Sequence, residues 1–393
     1  MGSAITDKKG ENAALSVFIS GDFAPCMIPR ESALKENAAE TLLGLLCNVI
    51  READLSITNL ESPLTFSKKA IKKIGPAMKA HPDWARFLKS AGFDVVALAN
   101  NHIYDYGEEG FSDTLEALGR NGIQHVGAGK TLNDARETFY TEIRGIRLGI
   151  VNFAEVEYTC AERTQGGANP MDLIDNVHQI KEARKKADHV LVIVHGGHEF
   201  FHYPSPEVRK RYRFYAEAGA AAVIAHHTHC IGGYERFEGV PIFYSLGNFV
   251  FPTAKTMPSS WYEGYAVVLQ INRTAVAFEI LPYEQGKDRN FSLDLSRDKE
   301  IRLKIDAINR ILNDDDALSN QWEHFVSDHA YYYLAGGSGL TRYPREILRR
   351  LRILALFNRT GRIDLIRHII RCEAHKEAAT AAMTGYLKKK RYL

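Results

Sequence analysis

The sequence predicts a layered α/β fold that continues into a C-terminal helical extension. Three observations predict it. From Ser16 to about Tyr283, short apolar runs alternate with polar turns and amphipathic stretches, the texture of a largely parallel sheet with crossover helices. Polar residues fall directly after the apolar runs, at the carboxyl ends of the expected strands, the edge where open α/β sheets bind ligands. Beyond Pro282–Ser296, a polar stretch containing Gly286, only helical spacing remains.

Each element has its own signal. Ser16–Ser20, Leu55–Leu60, Asp94–Ala99, Val190–Val194 and Ala220–Ala225 are compact apolar runs, as strands buried on both faces require. Pro82–Ala91, Glu108–Gly119, Asp172–Ala187 and Pro206–Ala218 have helical spacing between them. Phe139–Phe153 reads as a hairpin turning at Arg144-Gly145. Val240–Val250, Tyr265–Ile271 and Ala275–Leu281 read as consecutive antiparallel strands, the last two joined at Asn272-Arg273, so a second, more antiparallel sheet is expected to pack on the first. Helices are expected at Lys299–Asn313, Pro344–Leu356, Ile363–Cys372 and Ala374–Leu387. The expected domains are 15–285 and a helical appendage, 297–393.

Composition narrows the function classes. The 393 residues are 45% hydrophobic, and the formal net charge of +2 gives no global electrostatic case for nucleic acid. The five cysteines are odd in number, widely spaced and without a CxxC, as in a cytoplasmic protein with reduced thiols. No apolar run reaches the roughly 20 residues that span a bilayer, and Met1–Asn12 is polar, unlike a signal peptide. The basic end, Lys388–Arg391, suits the anionic face of the inner membrane, so peripheral attachment there is the second option. The apolar face carrying Leu351 and Leu354 calls for a packing partner, either the main domain or a second copy of the chain.

The strand-end residues are those a hydrolytic divalent metal takes: carboxylate, amide oxygen and imidazole. Asp22 follows the first run and Glu61, in Asn59-Leu60-Glu61, the second; Glu61 could bridge two metals. Asn100-Asn101-His102 follows the third. His195 ends the fourth, and His227-Thr228-His229 follows the fifth, two imidazoles able to address adjacent metals. Each motif alone has a plainer explanation as a turn, a cap or a core histidine. Their joint occurrence at five strand ends is what points to a metal site. Around them, Glu199 is placed to reach the pocket or to start a helix. Arg211 could clamp a phosphate or carboxylate, although a solvated helix face explains it as simply. Asn248 is expected to support the site from behind.

The order Gly21-Asp22, Asn59-Leu60-Glu61, Asn100-Asn101-His102, His195-Gly196-Gly197-His198-Glu199, His226-His227-Thr228-His229 and Tyr244-Ser245-Leu246-Gly247-Asn248-Phe249 resembles the CapA family of poly-γ-glutamate capsule proteins over about residues 15–285. That family resembles calcineurin-like metallophosphoesterases, so the resemblance implies an αββα metallophosphoesterase-like sandwich. It also implies one or two divalent ions (Mn, Zn or Fe) held by Asp22, Glu61, Asn101, His195, His227 and His229. His102 takes the place of the imidazole that serves the leaving group, oriented by Asp105. Asn100, Glu199, Arg211 and Asn248 are then substrate-binding or supporting residues. Two departures stand out: the phosphoesterase Asp-x-His is Asp22-Phe23-Ala24 here, and Glu61 replaces the usual bridging aspartate. The implied activity is metal-dependent hydrolysis of a phosphoester or a γ-glutamyl amide, on an anionic polymer or a phosphorylated small molecule. The alternatives are a non-catalytic accessory subunit of a membrane-bound polymer-synthesis complex and a general phosphodiesterase or nucleotidase.

Overall fold

The computed structural model describes residues 14–73, 75–253, 255–286 and 291–334, and beyond them only positions 363, 366–368, 370 and 383. Two compact units result, Met1–Leu318 and Ser319–Leu393. The helix expected at Pro344–Leu356, most of those at Ile363–Cys372 and Ala374–Leu387, and the basic run Lys388–Arg391 lie outside the described residues.

The described strands are β1 (Leu15–Phe23), β2 (Leu55–Leu60), β3 (Val95–Ala97), β4 (Gln124–Val126), β5 (Ala128–Gly129), β6 (Phe139–Ile143), β7 (Ile146–Ala154), β8 (Gly167–Ala168), β9 (His189–His195), β10 (Ala222–His226), β11 (Tyr234–Phe237), β12 (Val240–Phe243), β13 (Asn248–Val250), β14 (Glu263–Ile271), β15 (Val276–Gln285) and β16 (Leu293–Asp294). The α-helices are α1 (Arg30–Leu34), α2 (Ala38–Leu43), α3 (Leu46–Glu52), α4 (Trp84–Ala91), α5 (Gly107–Arg120), α6 (Leu132–Ala135), α7 (Leu173–Lys186), α8 (Pro206–Glu217), α9 (Asp298–Leu312) and α10 (Asp315–Leu334).

Two sheets carry the first unit. One runs β16-β15-β14-β1-β2-β3-β4, with β13 also paired to β1, and the other β11-β12-β10-β9-β7-β6. The inner faces meet in one apolar cluster, with Val17, Ile19 and Ile57 from the first sheet and Ile150, Leu191 and Ile224 from the second. Outside the first sheet, Leu42, Leu46, Trp84, Phe87, Leu88 and Phe111 cover its other face; outside the second, Ile180, Ala183, Tyr212 and Tyr215 do the same. Helices thus flank both sheets, giving the expected αββα layering.

Local chemistry explains the boundaries. α7 begins where the Asp172 carboxylate accepts from the N–H groups of Ile174 and Asp175, and α8 where the Ser205 side chain accepts from Val208 N–H with Pro206 in the first turn. The hairpin at Arg144-Gly145 has both residues at positive φ, 52° and 70°, the turn geometry that suits strand twist.

One expectation is corrected. The strands do not sort into a parallel and an antiparallel sheet, for both sheets are mixed. β14 pairs antiparallel with β1 inside the first sheet. The Val240–Val250 segment divides: β12 is parallel to β10 in the second sheet, and β13 is parallel to β1 in the first. The chain crosses between sheets at Ser245–Gly247, where Gly247 has φ 72°. A run buried on both faces carries no mark of which sheet it joins, so alternation could not reveal the crossing. The first unit also takes in α9, whose Ile301, Ile305 and Ile308 join the cluster between the sheets, whereas the sequence changes texture near Pro282–Ser296.

Candidate metal centre

All the strand-end motifs arrive at one end of the sandwich. Asp22 lies in β1 opposite both Asn59 and Asn248, at a bulge where the register shifts. A bulge re-aims a side chain. Gly21 is required before it, because a Cβ there would stand 2.0 Å from the Gly247 carbonyl oxygen. After β10 the chain turns sharply. His227 and His229 have φ of 94° and 56°, and the nearby Phe200 has 63°. Left-handed backbone at residues other than glycine is costly and tends to mark functional sites.

The first sheet contributes Asp22, Glu61 and Asn101; the second contributes His195, His227 and His229. Two groups of potential ligand atoms result, each within 4.8 Å: Glu61, His195 and His227, and Asp22, Glu61 and His229. Glu61 is common to both. Its Oε1 lies 3.7 Å from His195 Nε2 and 3.8 Å from His229 Nε2. His195 Nε2 also lies 3.0 Å from Asn101 Oδ1 and 3.1 Å from His227 Nδ1, so several lone-pair atoms converge on one point.

A divalent cation fits this donor set. Both carboxylate oxygens of Glu61 are buried and without a hydrogen-bond partner, an expensive arrangement for an anion unless a cation compensates it. Burial, reinforced by the negative charge of Asp22, pushes the Glu61 carboxyl well above the ordinary carboxylate range. Burial likewise drives His195 well below the usual imidazole range and His227 down to about 3, the neighbouring histidines adding to both. Near neutral pH these are neutral imidazoles, the form that binds metal.

Supporting contacts fix the ligands. Asn59 Nδ2 donates to Asp22 Oδ1 at 2.7 Å and lies 3.2 Å from His195 Nδ1, linking the two sheets. Asn248 Oδ1 lies 3.0 Å from His229 Nδ1, while its Nδ2 donates to the Trp261 carbonyl at 3.0 Å. Asn100 braces the loops around the ligands: it donates to the Leu60 carbonyl at 2.8 Å and to Asn59 Oδ1 at 3.4 Å, and accepts from His102 N–H at 3.1 Å. His102 Nδ1 lies 2.6 Å from Asp105 Oδ2. Burial lowers the His102 imidazole, against the opposing pull of Asp105.

Glu199 is exposed at the rim, where its charge acts on Glu61. Arg211 stands further out, with Nη1 2.8 Å from Met171 Sδ and its charge acting on Glu155. Arg209 and Arg213 are bound to Glu235. Burial pushes the Cys230 thiol up to about 12, so it stays protonated beside His229. At position 24, where the phosphoesterase pattern has histidine, Ala24 is fully buried in an apolar cluster with Phe251, Trp261 and Tyr262. The rings of Phe251 and Trp261 lie 5.1 and 4.8 Å from that of His229.

The sequence reading missed three groups. Lys73 donates to Asp105 Oδ1 at 2.6 Å and to the Asn101 carbonyl at 2.7 Å. Glu155 accepts from Gly197 N–H at 3.1 Å, its carboxyl raised by burial, and Glu157 follows two residues on, exposed. Lys73 sits in a lysine-rich run that reads as solvated. Glu155 and Glu157 follow the apolar run of β7, so their strand-end position was the available signal.

Residues 16–253 match the family model described as bacterial capsule synthesis protein PGA_cap. The PGA biosynthesis protein CapA of Bacillus subtilis (strain 168) is 33% identical over 227 residues, which cover 56% of this chain and 59% of that protein. The capsule biosynthesis protein CapA of Bacillus anthracis is 33% identical over 310 residues, 75% of this chain and 74% of that one. A probable polyglutamine synthesis accessory protein of Mycobacterium tuberculosis is 31% identical over 211 residues, 50% of this chain and 55% of that one. Among the described residues no helix is long and apolar enough to cross a membrane, and the described cysteines are free. The family match contains every residue of the two potential ligand groups, and with the relative aligned over three quarters of the chain it establishes that this protein belongs to the bacterial capsule synthesis PGA_cap family.

Proposed function

We propose that the chain is a metal-dependent hydrolase of capsule or related exopolymer metabolism. The observation that carries this reading is Glu61, a fully buried carboxylate with both oxygens unpartnered, shared by two groups of potential ligands. Glu61, His195 and His227 would hold one divalent ion, and Asp22, Glu61 and His229 a second, with Asn101 beside the first. Bound there, the metal would supply Lewis acidity and lower the pKa of a water, making a nucleophile available near neutral pH. His102, anchored through Nδ1 on Asp105, would hold or move a proton at Nε2 for the leaving group. The aromatic rings of Phe251 and Trp261 exclude water from one side of His229. The names of the relatives support a γ-linked glutamyl polymer as the substrate class, and a phosphoester is the alternative bond.

Elemental analysis of protein prepared without chelator, followed by turnover of bis(p-nitrophenyl) phosphate and of γ-glutamyl oligomers, tests the proposal. Stoichiometric metal with turnover of either substrate supports it. Failure to turn over either substrate refutes it. A second reading, a non-catalytic subunit of a membrane-bound synthesis complex, is favoured by one observation, the apolar packing of Ala24 where an imidazole would complete the phosphoesterase pattern. Metal without turnover of either substrate, together with co-purification of a membrane ligase, would select it.

A further inference from the structure

We infer that Lys73 is a positioning residue for His102, acting through Asp105; as a statement about catalysis this rests on the hydrolase reading, as a statement about geometry it does not. His102 lies in a turn between Asn101 and Asp105, and the Lys73 ammonium grips both flanks. Nζ donates to the Asn101 carbonyl at 2.7 Å and to Asp105 Oδ1 at 2.6 Å; it also lies 3.4 Å from His102 Nδ1, a longer contact than the 2.6 Å from that nitrogen to Asp105 Oδ2. The other oxygen, Oδ2, accepts from Met78 N–H at 2.7 Å and lies 2.6 Å from His102 Nδ1. Asp105 is thus held at both oxygens, and only Oδ2 faces the imidazole.

The burial makes this more than a surface ion pair. The Lys73 side chain is 3% exposed and that of Asp105 is fully buried, whereas Lys68, Lys69 and Lys72 in the same run are exposed. Withdrawing one ammonium of the run from water is unfavourable unless a specific anion and further acceptors receive it, and here Asp105 and the Asn101 carbonyl do. A charged donor orients a carboxylate more strongly than a neutral one. With Oδ1 held by Lys73, the carboxylate cannot rotate to exchange oxygens. Asp105 therefore receives the Nδ1–H of His102, and Nε2 is the ring nitrogen left for a ligand. Without Lys73 the carboxylate keeps Met78 N–H and the imidazole but loses the restraint on Oδ1, so the ring can change tautomer or swing.

The test uses the full-length chain labelled with ¹⁵N-histidine and read by long-range ¹H–¹⁵N correlation of the His102 ring, first with chelator present. The wild type is expected to show the Nδ1–H tautomer with a strongly downfield Nδ1 proton. In Lys73→Met that proton is expected to broaden or vanish and the tautomers to mix, with Lys73→Arg restoring most of the pattern. In an Asp105→Asn background, Lys73→Met should add much less than it does in the wild type, since the lysine acts mainly through that carboxylate and only by a 3.4 Å contact on His102 Nδ1 itself. Should Lys73→Met not fold, Lys73→Leu, which likewise removes the donor to Oδ1, carries the same comparison. A wild-type ring spectrum in the folded uncharged variant would overturn the inference. Where the wild type turns over bis(p-nitrophenyl) phosphate or a γ-glutamyl oligomer, Lys73→Met should lower kcat about 10- to 100-fold, the scale of a misplaced catalytic group, with KM and metal content unchanged. A raised KM with intact kcat would overturn it equally. If the wild type turns over neither substrate, the hydrolase reading falls, and the ring spectra still decide the role of Lys73.

Discussion

Replacing Glu61 by Gln should stabilise the metal-free protein and abolish the stabilisation that metal brings. In the metal-free chain, both oxygens of this fully buried carboxylate lack partners. An uncompensated buried charge costs several kcal/mol after relaxation. A buried amide of nearly the same shape, left equally unpartnered, costs about 1–3 kcal/mol. The difference is about 2 kcal/mol in favour of the Gln variant, which at about 2 °C per kcal/mol for a large domain raises the melting temperature by about 4 °C in chelator at pH 7–8. The sign with pH follows from the direction of the shift. A carboxyl raised in the folded state contributes its full share of stability below the ordinary carboxylate pKa and loses it as pH rises through the folded value. The advantage of the variant should therefore vanish near pH 4 and grow as pH rises. His195 and His227 shift the other way and weaken both proteins in acid, below about pH 6.5. Mn²⁺ at 100 times its Kd should then add about 2.7 kcal/mol to the wild type and little to the variant, reversing their order. Calorimetry with and without EDTA measures all of this. A Gln variant that melts below the wild type in EDTA at pH 8 would refute the reasoning, because Glu61 would then have a stabilising partner in the metal-free protein.

Three further outcomes are expected. The double variant His195→Ala, His227→Ala should lose bound metal, read by elemental analysis after gel filtration; unchanged metal content would remove both from the shell. His102→Ala should keep its metal but lower kcat by about 10²–10⁴, the usual loss for a proton-transfer group, and loss of metal would make His102 a ligand instead. Ala24→His should destabilise the protein by about 1–3 kcal/mol through overpacking and leave the metal count unchanged, because Ala24 is fully buried among Phe251, Trp261 and Tyr262; a gain of one equivalent of metal would show that the cluster yields to an imidazole.

The strand ends were legible because burial on both faces makes each strand a compact apolar word, so the first polar residue after it must emerge at the edge. That logic locates Asp22, Glu61, Asn101, His195 and His227 without any knowledge of pairing. It says nothing of which sheet a run enters, which is why β12 and β13 read as neighbours although Gly247 carries the chain from one sheet to the other. Lys73 was illegible for a different reason. Its burial depends on Asp105, 32 positions away, and nothing in the lysine-rich run separates it from its exposed neighbours. Arg211 stands on the expected helix, with its guanidinium against Met171 Sδ.

Neither sheet holds a complete set of potential ligands: each group joins carboxylates of the first sheet to at least one imidazole of the second. An ion seated there would act as a rivet through both layers at one end. Sliding one sheet along the other by a single residue, about 3.3 Å, would carry the imidazoles out of reach of Glu61, while the apolar faces between the layers would lose little. Hydrophobic contact tolerates such slippage and coordination does not. Metal affinity would therefore gauge the alignment of the two layers, and core substitutions far from the site, made where the sheets meet, should register in it before they register in the melting temperature.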